Sequence, residues 1–373
     1  MSTTIRPFTV ATPQSDLDDL RERLERTRLA RPVPGDDWAY GTPASYLADM
    51  VQRWKEFDWR AVEEEVNAVP QFVTEIDDQT IHFVHVRSAE EGATPLLLAH
   101  SYPGSFLDFL HLVGPLTDPV AHGGRAEDAF DVVIPSMPGF GYSTPVVDTG
   151  WTMARVARAY DTLMRRLGYP SYGVHGSDAG AMIGRELAVL DPEGFLGAHV
   201  LQLFSFPSGD PGEFEHFGEK EYAALAHLQW FQSVGGYNTM NGTRPQTVAA
   251  GLSDSPVGLL AYDELFESFG NGTSLVTPDQ VLAQVTLYWL TNTAATAVRY
   301  HYEEQHAGAE PVVSTGRIGV AVFKDDFQTI RSLAERDNAN IVHWAEYPAG
   351  GHYAALEVPD QVVADLRTFF ASR

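Results

Sequence analysis

The chain contains no cysteine in 373 residues, which removes disulfides, a thiolate nucleophile and every cysteine-ligated metal site. Lysine is nearly absent too. Of 25 basic residues only Lys55, Lys220 and Lys324 are lysines, and the other 22 are arginines. Against 50 acidic residues this leaves a net charge of −25, which repels phosphate backbones and anionic lipid surfaces. Neither nucleic acid nor a membrane is therefore expected as a partner. No apolar run reaches the eighteen or so residues that span a bilayer. The opening stretch, MSTTIRPFTVATPQSDLDDL, lacks the basic-then-apolar order of a secretion signal. Cytoplasmic residence is the expectation. Internal repeats, low-complexity tracts and charged tails are missing as well.

What is present reads as one large α/β domain with additions. Residues 1–70 form an N-terminal helical extension. Leu17, Leu20 and Leu24 make one amphipathic stripe, Pro32 and Pro34 stop it, and further helices are predicted over 43–57 and 59–66. The extension is too short and polar for a core of its own, so it should pack on the rest. From Gln71 the pattern turns to strands. Two alternating runs flank Asp77-Asp78, a hairpin signature. Leu96-Leu97-Leu98-Ala99 and Val132-Val133-Ile134 are apolar on both faces, as buried parallel strands are. Strands and helices then alternate (helices 105–117, 153–167 and 180–190, strands 172–175 and 198–203), which predicts a mostly parallel sheet flanked by helices.

The rhythm breaks after Leu203. Residues 204–309 read as a helical, aromatic lid inserted after the sixth parallel strand, carrying Phe204, Phe206, Trp230, Phe231, Tyr237, Phe266, Phe269, Trp289, Tyr300 and Tyr302. The core thus falls into a first part, 71–203, and a second part, 310–373. The second part holds strands 319–323 and 341–345 and a closing helix at 361–370.

The chemistry gathers around Gly176-Ser177-Asp178-Ala179-Gly180, a small-x-X-x-small turn between strand and helix. This is the pattern of the nucleophile elbow of the α/β-hydrolase fold, with Asp178 where a serine is more usual. Ser177 lies off the centre of the turn. Asp325 and Asp326 follow the strand ending at Phe323, and His352 follows the last strand, so nucleophile, acid and histidine occur in the α/β-hydrolase order. His352 would activate a water, oriented by one of the aspartates. The backbone N–H groups of Tyr102, in His100-Ser101-Tyr102-Pro103, and of Ala179 could face a developing oxyanion. A carboxylate nucleophile suits displacement at an sp3 carbon, giving an alkyl-enzyme ester that activated water then hydrolyses. The leaving group is then a halide or an epoxide oxygen. An epoxide also needs a proton donor opposite Asp178, which lid tyrosines can supply. Neither a cofactor nor a metal is called for.

Several motifs together resemble the epoxide hydrolases of the microsomal/juvenile-hormone type. They are Trp38-Ala39-Tyr40-Gly41, Phe57-Asp58-Trp59-Arg60 and Asn67-Ala68-Val69-Pro70-Gln71-Phe72 in the extension, and Pro135-Ser136-Met137-Pro138-Gly139-Phe140-Gly141-Tyr142-Ser143 in a core loop. Asp254-Ser255-Pro256-Val257-Gly258-Leu259 and Gly350-Gly351-His352-Tyr353-Ala354-Ala355-Leu356-Glu357 complete the set. The resemblance implies Asp178 as nucleophile, His352 as base, Asp326 as acid and Tyr237 as one lid tyrosine. A membrane anchor ahead of the extension, as in the microsomal members, is not expected. Three positions depart from the pattern. Ala179 stands where the family usually has Trp, and His100-Ser101 replaces His-Gly. The residue two after Arg299, usually the second tyrosine, is His301, which leaves Tyr302 or His301 as the second donor, or else a weakened epoxide opening.

The expected activity is opening of a bulky, aromatic epoxide to a vicinal diol, with detoxification or natural-product metabolism as its setting. A same-fold enzyme of altered chemistry in natural-product biosynthesis and a non-catalytic small-molecule binding protein are the alternatives. A haloalkane dehalogenase is disfavoured, since its halide-binding Trp would occupy position 179. The partners are then a small epoxide and water, with a homodimer left open.

Overall fold

Tracts of sequence with no polar face become the central strands, because only a strand covered on both sides can bury every residue it carries. The computed structural model describes residues 4–267, 274–308 and 310–372. Its strands are β1 (Arg6–Phe8), β2 (Gln71–Ile76), β3 (Gln79–Val86), β4 (Thr94–Ala99), β5 (Phe130–Pro135), β6 (Tyr172–Gly176), β7 (Phe195–Val200), β8 (Ile318–Asp325) and β9 (Ile341–Gly351). They form one sheet in the order β1-β2-β3-β5-β4-β6-β7-β8-β9. The first three are antiparallel and β5, β4, β6, β7, β8 and β9 run parallel. The fold is an α/β-hydrolase fold, a mostly parallel sheet flanked by helices.

The hairpin turn is made by Asp77 and Asp78, both at positive φ (51° and 61°), which suits the twist of a two-residue connection. The extension holds α1 (Gln14–Glu25), α2 (Ala44–Glu56) and α3 (Trp59–Asn67), close to the spans the periodicity predicts. It is not wholly helical, since β1 pairs with the sheet edge at Arg6↔Val73. A proline-containing triplet is tolerated there because an edge strand leaves one row of backbone groups unpaired. The extension does pack on the rest. Trp54 Nε1 donates to Thr286 Oγ1 at 2.8 Å, Tyr46 Oη to Glu267 Oε1 at 2.9 Å, and an Arg23 guanidinium N–H to the Asp254 carbonyl at 2.7 Å.

After β4 come a 3-10 turn (Phe106–Leu112) and α4 (Val113–Thr117). Helices α5 (Met153–Arg166) and α6 (Ala179–Leu190) precede β6 and β7 respectively. The helical insertion follows the fourth of the six parallel strands, not the sixth, because the two hairpin strands run antiparallel. It carries α7 (Glu219–Val234), α8 (Gly236–Thr243), α9 (Pro245–Asp254), α10 (Pro256–Tyr262), α11 (Pro278–Thr291), α12 (Ala294–Ala297) and α13 (Arg299–Gln305). Phe269, one of its aromatic residues, lies outside the described residues. The chain closes with α14 (Arg331–Asp337), α15 (Ala354–Glu357) and α16 (Pro359–Ala371).

One strand lies elsewhere than its apolar run suggests. The sequence predicts a strand at 198–203, whereas β7 spans Phe195–Val200. Leu201 and Leu203 stay buried after leaving the sheet, so the hydrophobic signal outlasts the pairing. Among the described residues, no helix is long and apolar enough to cross a membrane.

Candidate active site

The turn from β6 into α6 is shaped by backbone crowding. Asp178 sits at φ 50°, ψ −118°, a conformation costly for any residue with a side chain. A Cβ on Gly176 would lie 2.2 Å from the Gly180 carbonyl oxygen, and one on Gly180 would lie 1.9 Å from the Ala99 carbonyl oxygen. Glycine is therefore required at both positions, and the tight turn pushes Asp178 out over the sheet.

The backbone N–H of Tyr102, in the loop after β4, donates to Asp178 Oδ1 at 2.9 Å, and the Ala179 N–H also bears on this carboxylate. The other oxygen, Oδ2, lies 3.8 Å from His352 Nε2. Burial raises the Asp178 carboxyl above its ordinary range, against the pull of His352 and the two backbone N–H groups. On its far side His352 bonds through Nδ1 to Asp326 Oδ1 at 2.8 Å. Desolvation pulls the imidazole down, but the Asp326 and Asp178 carboxylates outweigh it and lift His352 to about 9. Asp326 is buried, while Asp325 ends β8 half-buried. The loop carrying Asp326 is pinned by Gln328, whose side-chain amide donates to the carbonyls of Phe323 (2.7 Å) and Asp326 (2.8 Å).

Gln202, which the sequence reading passes over, sits between the two aspartates. Its Oε1 accepts from the Asp178 N–H and its Nε2 donates to Asp326 Oδ2. The only signal for it in the sequence is a lone amide inside the apolar run Val200-Leu201-Gln202-Leu203.

Asp178 and His352 open into a cavity of about 350 Å³ between the sheet and the insertion, walled chiefly by Met182, Phe204, Phe206, Phe231 and Phe327. Tyr237, Tyr300 and His301 also line it. Tyr302 does not. It is turned outward at 39% exposure, and its ring stacks on His306 with 4.0 Å between centroids. The reason is helical phase: each residue of α13 rotates the side chain about 100°, so the pocket-facing tyrosine is Tyr300. His301 faces inward as well, its ring 4.8 Å from that of Tyr102 and 5.8 Å from that of Tyr237. Burial pushes His301 down to about 3, so it is neutral near pH 7 and a weaker acid than a phenol. Ala179 is fully buried; Met182, one turn along α6, is the α6 residue that reaches the cavity.

The neighbouring histidines have structural roles. His100 Nε2 accepts from the Met137 N–H at 3.1 Å and its Nδ1 pairs with the Ser101 carbonyl at 2.9 Å, bracing the Tyr102 loop. His175 is wholly buried and bonds through Nδ1 to His199 Nδ1 at 2.9 Å.

The parallel sheet with a strained, glycine-flanked turn at the end of β6 makes this an α/β hydrolase, and the family model described as alpha/beta hydrolase fold matches residues 94–279. A model described as epoxide hydrolase N terminus matches residues 5–109. A Stigmatella aurantiaca relative, provisionally assigned as an epoxide hydrolase, is 41% identical over 98% of this chain and 84% of its own. Epoxide hydrolase 1 of Sus scrofa is 30% identical over 98% of this chain and 88% of its own. Among solved structures, the juvenile hormone epoxide hydrolase of the silkworm Bombyx mori superposes with a TM-score of 0.89 at 27% identity, over 100% of this chain and 95% of that one. The epoxide hydrolase of Aspergillus niger gives 0.85 at 30% identity, over 99% and 96%. The chain belongs to the epoxide hydrolase family.

Proposed function

We propose that this protein hydrolyses bulky, aromatic epoxides to vicinal diols through an ester on Asp178. The observation that carries the reading is the placement of Asp178 Oδ2 at the cavity end, 3.8 Å from His352 Nε2, while the Tyr102 N–H holds the other oxygen. Residues 204–309 then act as the lid. Asp178 Oδ2 attacks a ring carbon, the carbon–oxygen bond of the epoxide breaks, and the leaving oxygen takes a proton from Tyr237 or Tyr300. In the second step neutral His352 removes a proton from water, whose oxygen bonds to the ester carbonyl carbon. The resulting oxyanion meets the N–H groups of Tyr102 and Ala179. Collapse releases the diol oxygen, which takes the proton back from His352, and the carboxylic acid left on Asp178 passes its proton to His352 to restore the resting pair.

Charge balance supports this order. In the resting enzyme His352 sits near two carboxylates, which lift it to about 9, so it carries a proton at neutral pH. Ester formation removes the charge of Asp178 and with it part of that lift. The proton that His352 gives up offsets the one taken from the tyrosine. Asp326 stabilises the imidazolium whenever it forms.

Two measurements test the reading. Asp178→Ala should lose turnover of styrene-oxide-type epoxides while keeping the far-UV circular dichroism of the parent; diol formation at the parental rate would exclude the covalent route. A single turnover in 18O-water should give diol carrying unlabelled oxygen from Asp178, whereas immediate full labelling would mean direct attack by water. Inactivity over a broad epoxide panel would instead favour altered chemistry on the same scaffold.

A further inference from the structure

Gln202 is 1% exposed, and the chain is pinned on either side of it. The Leu201 N–H donates to the Gly176 carbonyl at 3.1 Å, and the Leu203 N–H to Thr329 Oγ1 at 3.3 Å. These bonds follow the end of β7 and hold residue 202 under the elbow. The polarity of its amide is fixed by its partners, since a backbone N–H can only donate and an ionised carboxylate can only accept. Oε1 therefore faces the Asp178 N–H and Nε2 faces Asp326 Oδ2. One planar group thus spans the strained turn that presents Asp178 and the carboxylate that orients His352.

We propose that Gln202 is a positioning residue of the hydrolytic reaction, a rigid amide strut that sets the separation between Asp178 and the Asp326–His352 pair. It touches neither substrate nor reacting atoms and works through both aspartates. On the Asp178 side it satisfies the N–H of a residue held at φ 50°, where no helical carbonyl can reach. On the Asp326 side it occupies Oδ2, leaving Oδ1 for His352 Nδ1 and preventing the carboxylate from rotating off the imidazole. A buried amide retained only for stability would need partners, but not partners on both halves of the catalytic apparatus.

The inference rests on the hydrolase reading, so its test includes a readout that needs no substrate. In Gln202→Ala, kcat for an epoxide should fall roughly tenfold to a hundredfold, the loss typical when a hydrogen-bonded group behind a reactive one is removed, with little change in KM. Gln202→Glu keeps the shape, and its carboxyl can still accept from the Asp178 N–H. It can donate to Asp326 only while protonated, because two facing carboxylates share one proton. The rate of ester formation in a single turnover should therefore acquire a limb that falls as pH rises, below the range near 9 where His352 loses its own proton, and the parent lacks that lower limb. The imidazole of His352, followed by NMR, should titrate at higher pH than in the parent in both variants. In Gln202→Ala the cause is that Asp326 has lost its donor; in Gln202→Glu it is the negative charge that the new carboxyl adds once it ionises. A Gln202→Ala that merely folds less well, beside a Gln202→Glu with the parental pH profile and His352 titration, would overturn the proposal. Should the Ala variant not fold, the isosteric Glu variant decides alone. If the parent turns over no epoxide, the hydrolase reading fails, while the His352 titration in Gln202→Glu still supports or refutes the strut.

Discussion

Tyr300 and Tyr302 lie two positions apart on α13 and meet opposite environments. Tyr300 lines the cavity with Tyr237, whereas Tyr302 stacks on His306 at the surface. Tyr237→Phe and Tyr300→Phe should each slow epoxide opening by about tenfold or more, within the range of general-acid catalysis. Tyr302→Phe should leave the rate within about twofold. A slow Tyr302→Phe beside a normal Tyr300→Phe would reverse the assignment. His352 gives a second prediction at this scale. Two carboxylates raise it to about 9 in the free enzyme, and the proposed ester would remove one of them. Decay of the alkyl-enzyme should therefore rise with pH to a plateau whose midpoint lies below that of the free imidazole. Pre-steady-state decay rates compared with an NMR titration of the unliganded protein check the ordering, and equal midpoints would contradict it.

At the scale of elements, the β6–α6 turn leaves no room for change. Gly180→Ala places a methyl group against the Ala99 backbone, which cannot swing aside as a side chain can. It should cost about 3 kcal/mol, the upper end for overpacking a well-packed site, and chemical denaturation would measure it. The same turn shows why part of the site is legible in sequence. Gly176, Asp178 and Gly180 fall within five residues, and an aspartate pair and His352 each follow a strand, so local patterns foresee that such groups meet, while the choice of Asp326 over Asp325 comes from the family resemblance. Tyr300 and Gln202 cannot be. Choosing Tyr300 over Tyr302 requires the phase of a seven-residue helix, and neither composition nor motif spacing supplies it. Finding Gln202 requires knowing that β7 stops at Val200, although the apolar run continues beyond it. The short β1 escaped for a related reason: three residues containing a proline carry too little pattern to announce a strand.

Over the whole molecule, buried histidines and buried carboxyls act on acid stability in opposite senses. Burial, the leading cause, pushes His82 and His301 to about 3 and His85 and His100 to about 4. Their unfolded counterparts titrate near 6.5. Below about pH 6.5 the unfolded chain binds protons that the folded chain refuses, so these groups lower stability as pH falls. Asp365 adds to the effect at lower pH. Burial opposes its charge, but hydrogen bonds from His199 and His343 hold its carboxyl below the usual range, and that contribution fades as pH drops beneath the ordinary carboxylate value. His352, raised instead, stabilises below about 6.5 and loses that contribution as pH passes about 9. Buried carboxyls oppose the loss that the buried histidines cause, since burial lifts Asp108 to about 7 and raises Asp178, and the folded chain then takes up their protons first. His301→Gln should therefore lessen the loss of melting temperature between pH 7 and pH 5 relative to the parent, and an unchanged slope would contradict the account. One contact of the extension has a mechanical consequence. Trp54 is bonded to Thr286 of α11. From the same helix Gln284 bonds to Ser105 and Asp108, and Tyr288 to Gly104, beside the Tyr102 N–H. The extension is thus a clamp on the loop that carries the Tyr102 N–H, so excising it as a detachable module should slacken that loop without altering any residue that lines the cavity.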